Sequence, residues 1–516
     1  MTNAPLYLLP LCIPALFALM SMRLVSNPGR WPLALAFAPF AVALAVLVLL
    51  LTVGSGQSPL LGLAGVGVSA RVDALSVTML LLVTFLGGTV LHFSRQYLAG
   101  DARHGIFMRD LALTLAAITC VMLAANLYLL VFAWITMSLL LNRLLLFRGE
   151  RRMARLAARK KFILARVGDT ALLAASGLLI AQFGTADIGE LATQLGSMAT
   201  SGAVQQAPIA AAALLAVTAV LKSAQFPAHG WLVEVMETPT PVSALLHAGI
   251  VNAGGFLILR FSELFSALPA VGIAVAAVGA TTAIIGTGVM LVQTNIKSSL
   301  AWSTVGQMGF MIFQCGMGVY AAAMVHLVGH SLYKAHAFLS SGDAVRRVAA
   351  ENWQAGSTSG NRLAGTLMVL LATGLYLFLV ANLYSNWQQQ PVVPALGLVL
   401  MLAILLFNDA PQAGVARRTW LLFSSALVAA SYLVLQQIAA FLYSPGFAAS
   451  PAVGTAGIVL LALLLTALAG VVLLQGSAPH SGFLRKLRVH LSQGLYINVF
   501  INRWLGAYRT GRISSE

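Results

Sequence analysis

About 15 long apolar runs, separated by short polar loops, fill this sequence almost from end to end. A helix needs roughly 20 apolar residues to cross the hydrocarbon core of a bilayer, and most of these runs reach or approach that length. Only 9% of the 516 residues are charged, which excludes a soluble fold with a wetted surface. The sequence therefore predicts an all-α polytopic membrane protein. The predicted spans are residues 5–22, 31–53, 73–93, 111–125, 127–147, 162–183, 208–222, 241–261, 269–292, 298–315, 318–339, 363–383, 393–407, 420–442 and 451–474.

Basic residues concentrate in alternate loops of this pattern. The largest cluster runs from Arg148 to Lys161 after the fifth predicted span, and the other clusters also follow odd-numbered spans. Because Lys and Arg collect in cytoplasmic loops, we expect the N-terminus outside and the C-terminus in the cytoplasm. Arg71 and Arg260 are the exceptions. Topology explains the net charge of +16, and we expect no nucleic-acid partner because no soluble basic domain is present to bind one.

Lys222 ends the seventh apolar run and begins a stretch that proline interrupts. The sequence continues Lys222-Ser-Ala-Gln-Phe-Pro227 and then Pro239-Thr-Pro-Val-Ser-Ala-Leu-Leu-His247. A charge at bilayer depth is costly and is typical of an ion path, and broken helices are tolerated where they line a polar cavity. We therefore predict a broken helix near Lys222–Pro227 in a chain that moves ions. His247 either bridges Lys222 to other titratable groups or stabilises the kink by a hydrogen bond.

Three titratable residues recur every fourth position in a later span: His326, His330 and Lys334. This spacing places them on one face of a helix. The pattern favours a hydrated proton relay over histidines that are merely buried in the core. Two histidines at this spacing also suit zinc, but no carboxylate or thiolate is positioned to complete the site. We predict no metal and no cofactor in this chain.

Arg166 and Asp169 lie three residues apart in the sixth span, a spacing at which their charges can pair on one helix. One interpretation is a structural salt bridge near the cytoplasmic end of the helix. The other is that Asp169 modulates the proton equilibrium of Lys222, because a nearby carboxylate favours the charged ammonium.

Several stretches of this sequence recur together in one known family. The chain resembles the antiporter-like membrane subunits shared by respiratory complex I and the Mrp sodium/proton antiporters. This resemblance implies a proton path at mid-membrane in which Lys222, His326, His330 and Lys334 are relay residues and Asp169 modulates Lys222. The matching stretches are Arg71-Val-Asp-Ala-Leu-Ser76, Arg166-Val-Gly-Asp169, Lys222-Ser-Ala-Gln-Phe-Pro227, Pro239-Thr-Pro-Val-Ser-Ala-Leu-Leu-His247, Asn295-Ile-Lys-Ser-Ser-Leu-Ala-Trp-Ser-Thr304 and residues 326–342.

We accordingly divide the chain into four parts. Residues 1–70 form N-terminal transmembrane helices, residues 71–345 the antiporter-like ion-translocating core, and residues 346–475 C-terminal transmembrane helices. Residues 476–516 form a basic tail that mixes apolar and basic residues. That mixture predicts amphipathic cytoplasmic helices that lie on the membrane or against a partner.

Departures from the family pattern indicate which branch this chain resembles. The family has a glutamate in the fifth span, where this sequence has Ile135. Glu234 or Glu237, just after the predicted break, is a candidate for the missing carboxylate. The family's second broken helix also has no recognisable counterpart here, because no acidic, basic or histidine residue lies between Arg362 and Asp409. This combination resembles the antiporter-like DabB subunits of the DAB inorganic-carbon accumulation systems.

The DAB resemblance implies a heteromeric complex in a bacterial inner membrane. The partner would be a DabA-like cytoplasmic protein whose zinc site resembles that of β-carbonic anhydrases. Entry of protons, or of sodium ions, through this chain would drive hydration of carbon dioxide on that partner, so this chain itself is not an enzyme. Two alternatives stay open: a sodium/proton antiporter or complex I-like pumping subunit, and a membrane anchor that conducts no ions.

Overall fold

Helices dominate the computed structural model, which describes residues 4–26, 28–29, 31–63, 65–201, 205–235, 238–342, 415–443, 446–447, 455–475 and 482–505. A 3₁₀ segment, Ala4–Leu11, leads into the first helix. The helices of the first half are α1 (Cys12–Ser26), α2 (Leu33–Val53), α3 (Ala74–Tyr97), α4 (His104–Leu123), α5 (Leu127–Leu145), α6 (Arg152–Phe183), α7 (Ile188–Ser201) and α8 (Gln206–Lys222). Those that follow are α9 (Gly230–Glu234), α10 (Thr240–Ala248), α11 (Ala253–Arg260), α12 (Ser262–Ala267), α13 (Pro269–Met290), α14 (Ile296–Gly316), α15 (Tyr320–Leu339), α16 (Val415–Tyr443), α17 (Thr455–Gln475), α18 (Gly482–Ser492) and α19 (Ile497–Trp504).

Four short strands occupy the loop between α2 and α3. They are β1 (Gly56–Gln57), β2 (Leu61–Leu63), β3 (Val66–Val68) and β4 (Arg71–Val72). The strands form two antiparallel pairs, β1 with β4 and β2 with β3, and Leu61 lies opposite Val68 in the second pair. This small hairpin closes one end of the helical bundle.

The helical, membrane-spanning fold predicted from the sequence is confirmed. In the described part of the chain, eight helices are long and apolar enough to cross a bilayer. Every predicted span that falls on described residues coincides with a helix, and the spans predicted at 363–383 and 393–407 lie outside the described residues. Many large apolar side chains remain exposed on the outer faces of these helices, as expected for a surface that contacts lipid.

The predicted break after Lys222 has a well-defined backbone geometry. Ala224 adopts a left-handed conformation with φ of 50°, and the amide of Gln225 donates to the carbonyl of Val220 at 3.1 Å. This is the Schellman pattern that ends α-helices, here with alanine where glycine is usual. The amide of Phe226 donates to Thr282 Oγ1 of α13 at 3.0 Å, so the chain beyond the break is attached to a neighbouring helix.

A second break interrupts the predicted span 241–261, which the sequence analysis treated as continuous. A 3₁₀ turn, Ile250–Asn252, separates α10 from α11. The Asn252 side chain donates to the carbonyl of Ala248 at 3.0 Å and to Ser331 Oγ of α15 at 2.7 Å, which stabilises the turn. Because 94% of the apolar window in Thr240–Arg260 is buried, this kinked helix lies at the centre of the bundle.

Glycine permits the two breaks to approach each other. A Cβ atom on Gly254 of α11 would lie 2.3 Å from the carbonyl oxygen of Ala219 and 2.3 Å from Ser223 Oγ. The Ser223 hydroxyl in turn donates to the carbonyl of Val251 at 2.8 Å. The end of α8 and the start of α11 therefore pack backbone against backbone, as in membrane helices with small interfacial residues.

A buried ion cluster joins α3 to α11. The Asp73 side chain caps α3 by accepting from the amide of Ser76, and it also accepts from Arg260 at 2.6 Å and from Arg71 at 2.7 Å. Arg71 and Arg260 were the two exceptions to the predicted charge pattern. Both side chains pair with the same internal carboxylate, Asp73. This internal contact explains why these two arginines depart from the charge pattern of the loops.

The described part of the basic tail forms two helices that pack against the broken-helix region. Asn502 of α19 donates to Glu234 at 2.8 Å, and Gln293 donates to the carbonyl of Ser492 at 3.2 Å. The outer surface of the tail carries both apolar and basic side chains: Trp504 is 83% exposed, and Arg485, Lys486 and Arg488 are exposed as well. Binding of this surface to a membrane or a partner stays a prediction.

Candidate functional site

Lys222 occupies the last position of α8, directly before the break. The residue is 9% exposed, and its Nζ atom has no hydrogen-bond partner among the described residues. The ammonium lies 4.8 Å from the ring centroid of Trp134 on α5, within the range of a cation–π interaction. An aromatic face favours a cation without supplying a fixed acceptor, so no hydrogen bond among the described residues holds this ammonium in place.

The charges closest to Lys222 come from α6. Asp169 forms a salt bridge with Arg166, as the spacing predicted, and it also interacts electrostatically with Lys222. Lys161 donates to the backbone carbonyl of Ser138 and, at 3.1 Å, to the Ser138 hydroxyl. We refer to Lys161, Arg166, Asp169 and Lys222 as the central cluster.

A small cavity of about 20 Å³ lies within the central cluster. That volume is enough for at least one water molecule beside polar groups. The cavity connects the α6 charges to the end of α8. Its polar lining includes Lys161, Asp169, Thr218, Lys222 and Trp231.

Sequence reasoning missed Lys161 and Ser138 as site residues. The sixth span was predicted to begin at residue 162, whereas α6 begins at Arg152 and extends for 32 residues. Lys161 therefore lies within the helix and is only 4% exposed, although it had been assigned to a cytoplasmic loop. Ser138 lies one helical turn after Ile135, so its hydroxyl introduces polarity near the position where the family has a glutamate.

The structure places Glu234 in a separate contact. Its carboxylate pairs with Lys160 at 2.7 Å and accepts from Asn502 of the tail at 2.8 Å. Lys160 is 2% exposed, so this ion pair is buried on the tail side of the break. Glu237, the other candidate for the missing carboxylate, lies outside the described residues. Among the described carboxylates, Asp169 is the one that interacts with Lys222.

The predicted row on α15 is present as one face of that helix. Lys334 is fully buried and donates to the carbonyl of Leu300 at 3.0 Å and to the Ser303 hydroxyl of α14. His326 shares a hydrogen bond with Gln314 Oε1 at 2.8 Å through Nδ1. The rings of His326 and His330 have centroids 6.1 Å apart in an edge-to-face arrangement.

His247 joins this row from α10. Its ring is completely buried and stacks on Phe338 with centroids 4.4 Å apart. Neither ring nitrogen has a hydrogen-bond partner among the described residues, so no hydrogen bond from this ring to the proline kink at Pro239–Pro241 is present there. His247 interacts electrostatically with His330 and Lys334. We refer to His247, His326, His330 and Lys334 as the titratable row.

Buried polar groups lie between the central cluster and the titratable row. Ser223 contacts the backbone of the second break, and Asn252 in that break contacts Ser331 of α15. The side-chain oxygens of Gln225 and Asn252 have no hydrogen-bond partner within the described residues. Because buried polar atoms are nearly always satisfied, these positions are suited to ordered water. The two helix breaks therefore form the polar connection between the two sets of titratable groups.

His229 is a further buried residue that sequence reasoning did not identify. Its ring is 1% exposed and lies between Phe226 and Trp302, with ring centroids 5.6 Å and 4.9 Å away. It also interacts electrostatically with Lys160. Its position in the proline-interrupted stretch was the available signal, since a titratable residue there lies inside the bundle.

Comparison with known proteins places this arrangement among related chains. The family described as "NADH:quinone oxidoreductase/Mrp antiporter, TM" matches residues 124–386, and "NADH-Ubiquinone oxidoreductase (complex I), chain 5 N-terminus" matches residues 61–108. The probable inorganic carbon transporter subunit DabB2 of Halothiobacillus neapolitanus is 34% identical over 490 residues, which are 91% of this chain and 86% of that protein. The probable inorganic carbon transporter subunit DabB of Hydrogenovibrio crunogenus is 36% identical over 382 residues, 71% of this chain and 72% of that protein.

A solved structure shares the fold. The Mrp complex of Dietzia sp. contains a chain that superimposes with a TM-score of 0.59 at 23% identity. The match covers 98% of this chain and 57% of that longer chain. Together with the sequence matches, it confirms the predicted resemblance to antiporter-like membrane subunits.

Proposed function

This chain belongs to the NADH:quinone oxidoreductase/Mrp antiporter transmembrane family, and from that membership we propose that it conducts protons as the membrane subunit of an inorganic-carbon accumulation complex. Two relatives that are probable inorganic carbon transporter subunits support the carbon substrate. The observation that carries the proton path is the meeting of two helix breaks between two buried sets of titratable groups.

The proposed path runs between the central cluster and the titratable row. Protons exchange at Lys222, cross the polar region around Asn252 through water, and reach His330 and Lys334. Lysine suits both ends because it can release and regain a proton, whereas arginine would stay charged. A proton that moves down the membrane potential releases about 2.3 kcal/mol per 100 mV, which is enough to bias a coupled reaction.

The chemistry on carbon belongs to a partner in this proposal. A DabA-like cytoplasmic zinc protein hydrates carbon dioxide, and proton entry makes that reaction directional. The chain lies in a bacterial inner membrane with the N-terminus outside and the C-terminus in the cytoplasm. The tail helices and the start of α6 would then face the partner, because both carry basic residues on the same side of the bundle.

Co-expression tests the proposal directly. A carbonic-anhydrase-deficient bacterium receives this chain alone, its neighbouring candidate subunit alone, or both, and uptake of labelled inorganic carbon is measured with and without an uncoupler. We expect accumulation only with both chains and its collapse when the proton gradient is dissipated. No accumulation by a verified, membrane-inserted complex would refute the carbon assignment.

A sodium/proton antiporter is the second candidate, and the fold shared with the Mrp chain favours it. The two proposals differ in the ion on which transport depends. Sodium-dependent dissipation of a proton gradient in vesicles containing this chain would support the antiporter. A third possibility, an anchor that conducts no ions, predicts that substitutions at Lys222 and His330 leave transport unchanged.

A further inference from the structure

Charge in the central cluster is unbalanced. Arg166 and Asp169 form a salt bridge and neutralise each other. Lys161 and Lys222 add two further amino groups, each a cation when protonated, which are 4% and 9% exposed, and neither has a carboxylate of its own among the described residues. Two ammonium groups buried near each other are costly unless negative charge approaches them.

Two hydrogen-bond donors in the same cavity have no acceptor. Lys222 Nζ and Trp231 Nε1 are both buried without a hydrogen-bond partner in the described ranges, and both residues line the cavity. Lys161 lines it as well. An indole N–H can only donate a hydrogen bond, and so can a protonated lysine, so both groups require a hydrogen-bond acceptor with a lone pair.

The geometry points to a small monovalent anion of halide size, held in this cavity between the Lys222 ammonium and the Trp231 indole N–H, with Lys161 supplying the second positive charge. The room of about 20 Å³ suits an ion that replaces one water molecule. The anion satisfies both donors and balances part of the surplus charge. A bound cation would do neither, because it accepts no hydrogen bond and adds positive charge. Asp169, which also lines the cavity, already pairs with Arg166 through one carboxylate oxygen.

This site goes beyond the proposed function, because it adds a bound anion at a residue to which that function assigns only proton exchange. The anion would hold the central cluster near neutrality while Lys222 is protonated. Binding is measured at equilibrium on the chain itself, without a partner or a proton gradient. Failure of carbon uptake would therefore leave the anion site intact, and failure of anion binding would leave proton conduction intact.

Equilibrium binding of radiolabelled chloride to the full chain, purified in detergent, tests the site. We expect one saturable component that bromide displaces and gluconate, which is too large for the cavity, does not. Bicarbonate is the third competitor: displacement by it identifies an oxyanion-tolerant site, and no displacement identifies a halide site. Lys161→Met should lower chloride affinity about tenfold or more because it removes one of two nearby cations.

Trp231→Phe provides a second variant that keeps the ring and removes only the donor. We expect chloride affinity to fall several-fold, about the loss of one hydrogen bond to a charged group. The matched control is the double variant Lys160→Met, Glu234→Gln, which removes an adjacent buried lysine together with its own partner, outside the cavity. It should bind chloride as the parent does. No saturable chloride component in the parent, or equal affinity in the parent, Lys161→Met and Trp231→Phe, would overturn the proposal.

Discussion

Lys222 is buried, yet its ammonium has no hydrogen-bond partner among the described residues. It is held beside the face of Trp134. A lysine in such a position can lose and regain its proton, which a fully paired lysine does less readily. The residue therefore provides the sharpest test of proton conduction.

Replacing Lys222 with arginine should abolish coupled carbon uptake. Arginine keeps the positive charge and the contact with Trp134, but it does not release its proton in the working range of pH. Uptake of labelled inorganic carbon in the co-expression strain is the measurement, with membrane content checked by immunoblot. Lys297→Arg on α14, a partly exposed position outside the cluster, is the matched control and should retain uptake. Normal uptake by Lys222→Arg would exclude Lys222 from the path.

His330 provides the corresponding test for the titratable row. The His330→Gln variant keeps a polar side chain but removes the titration, so we expect uncoupler-sensitive uptake to fall about a hundredfold or more, the usual range for loss of a proton-transfer group. His336→Gln on the same helix is the control, because His336 is exposed and lies away from the row. Equal uptake in both variants would contradict a relay through α15.

Site residues differ in how well the sequence reveals them. Lys222 and His330 stand out because a titratable group interrupts an apolar run. Lys161 does not, because the basic start of a long helix looks like a cytoplasmic loop. The pairing of Asp73 with Arg260 joins residues that are 187 positions apart, and nothing local predicts it. Contacts of that kind depend on how the helices pack.

At the scale of helices, the Asp73 cluster joins α3 to the end of α11. Burial raises the pKa of Asp73, but Arg260, Arg71 and the amide of Ser76 outweigh it and hold that pKa well below its usual range. A carboxylate with a lowered folded pKa contributes stability above the pKa of the unfolded chain, about 3.9. That contribution is lost as the pH falls through the folded pKa.

Asp73→Asn should lower the free energy of unfolding by about 3 kcal/mol at neutral pH, because it leaves Arg260 buried without a counter-charge. Thermal unfolding in detergent measures the loss. The difference in the free energy of unfolding between the variant and the parent should stay constant between pH 8 and pH 5, and shrink below about pH 4. The control, Glu150→Gln, removes an exposed ion pair with Arg103 and should leave the melting temperature unchanged. A constant difference down to about pH 2 would show that the carboxylate charge is not the source.

The contact between the two breaks is testable at Gly254. Gly254→Ala places a methyl group against α8 and should destabilise the protein by about 1–3 kcal/mol, the typical cost of overpacking. Carbon uptake should fall as well, since the polar connection depends on this approach. Gly177→Ala on α6 is the control, because a Cβ there meets no atom within 4 Å. Equal melting temperatures for the two variants would contradict the close packing.

Helices were easier to predict than their ends and interruptions. Apolar runs locate the spans because any segment within lipid must satisfy its own backbone hydrogen bonds. The start of α6 was missed by ten positions in the sequence because its first turns carry basic residues. The break at Ile250–Asn252 was missed because glycine and asparagine near position 250 do not by themselves predict a turn inside an apolar run. The hydrogen bond that stabilises this turn is made to Ser331 on a helix distant in the sequence, which the local sequence does not reveal.

At the scale of the whole molecule, the orientation in the membrane determines from which side the proposed path would receive protons and on which side the proposed partner would bind. In the predicted topology, the hairpin β2–β3 would lie outside the cell and the tail helices would lie in the cytoplasm. Two arginines lie on the hairpin side, and both form salt bridges with Asp73: Arg71 and Arg260. When Arg71 and Arg260 are left out, the basic clusters all follow odd-numbered spans, a distribution that predicts a cytoplasmic location for those loops.

Reporter fusions test this orientation. Alkaline phosphatase, which is active only outside the cytoplasm, should be active when inserted at Gly65, because this residue lies in the hairpin turn with open space around it. The same enzyme fused to the C-terminus should be inactive, whereas green fluorescent protein at the C-terminus should fluoresce. The two reporters control each other, since a misfolded fusion gives neither signal. Active phosphatase at the C-terminus would place the tail outside, and a cytoplasmic partner would then have to bind the hairpin side of the bundle.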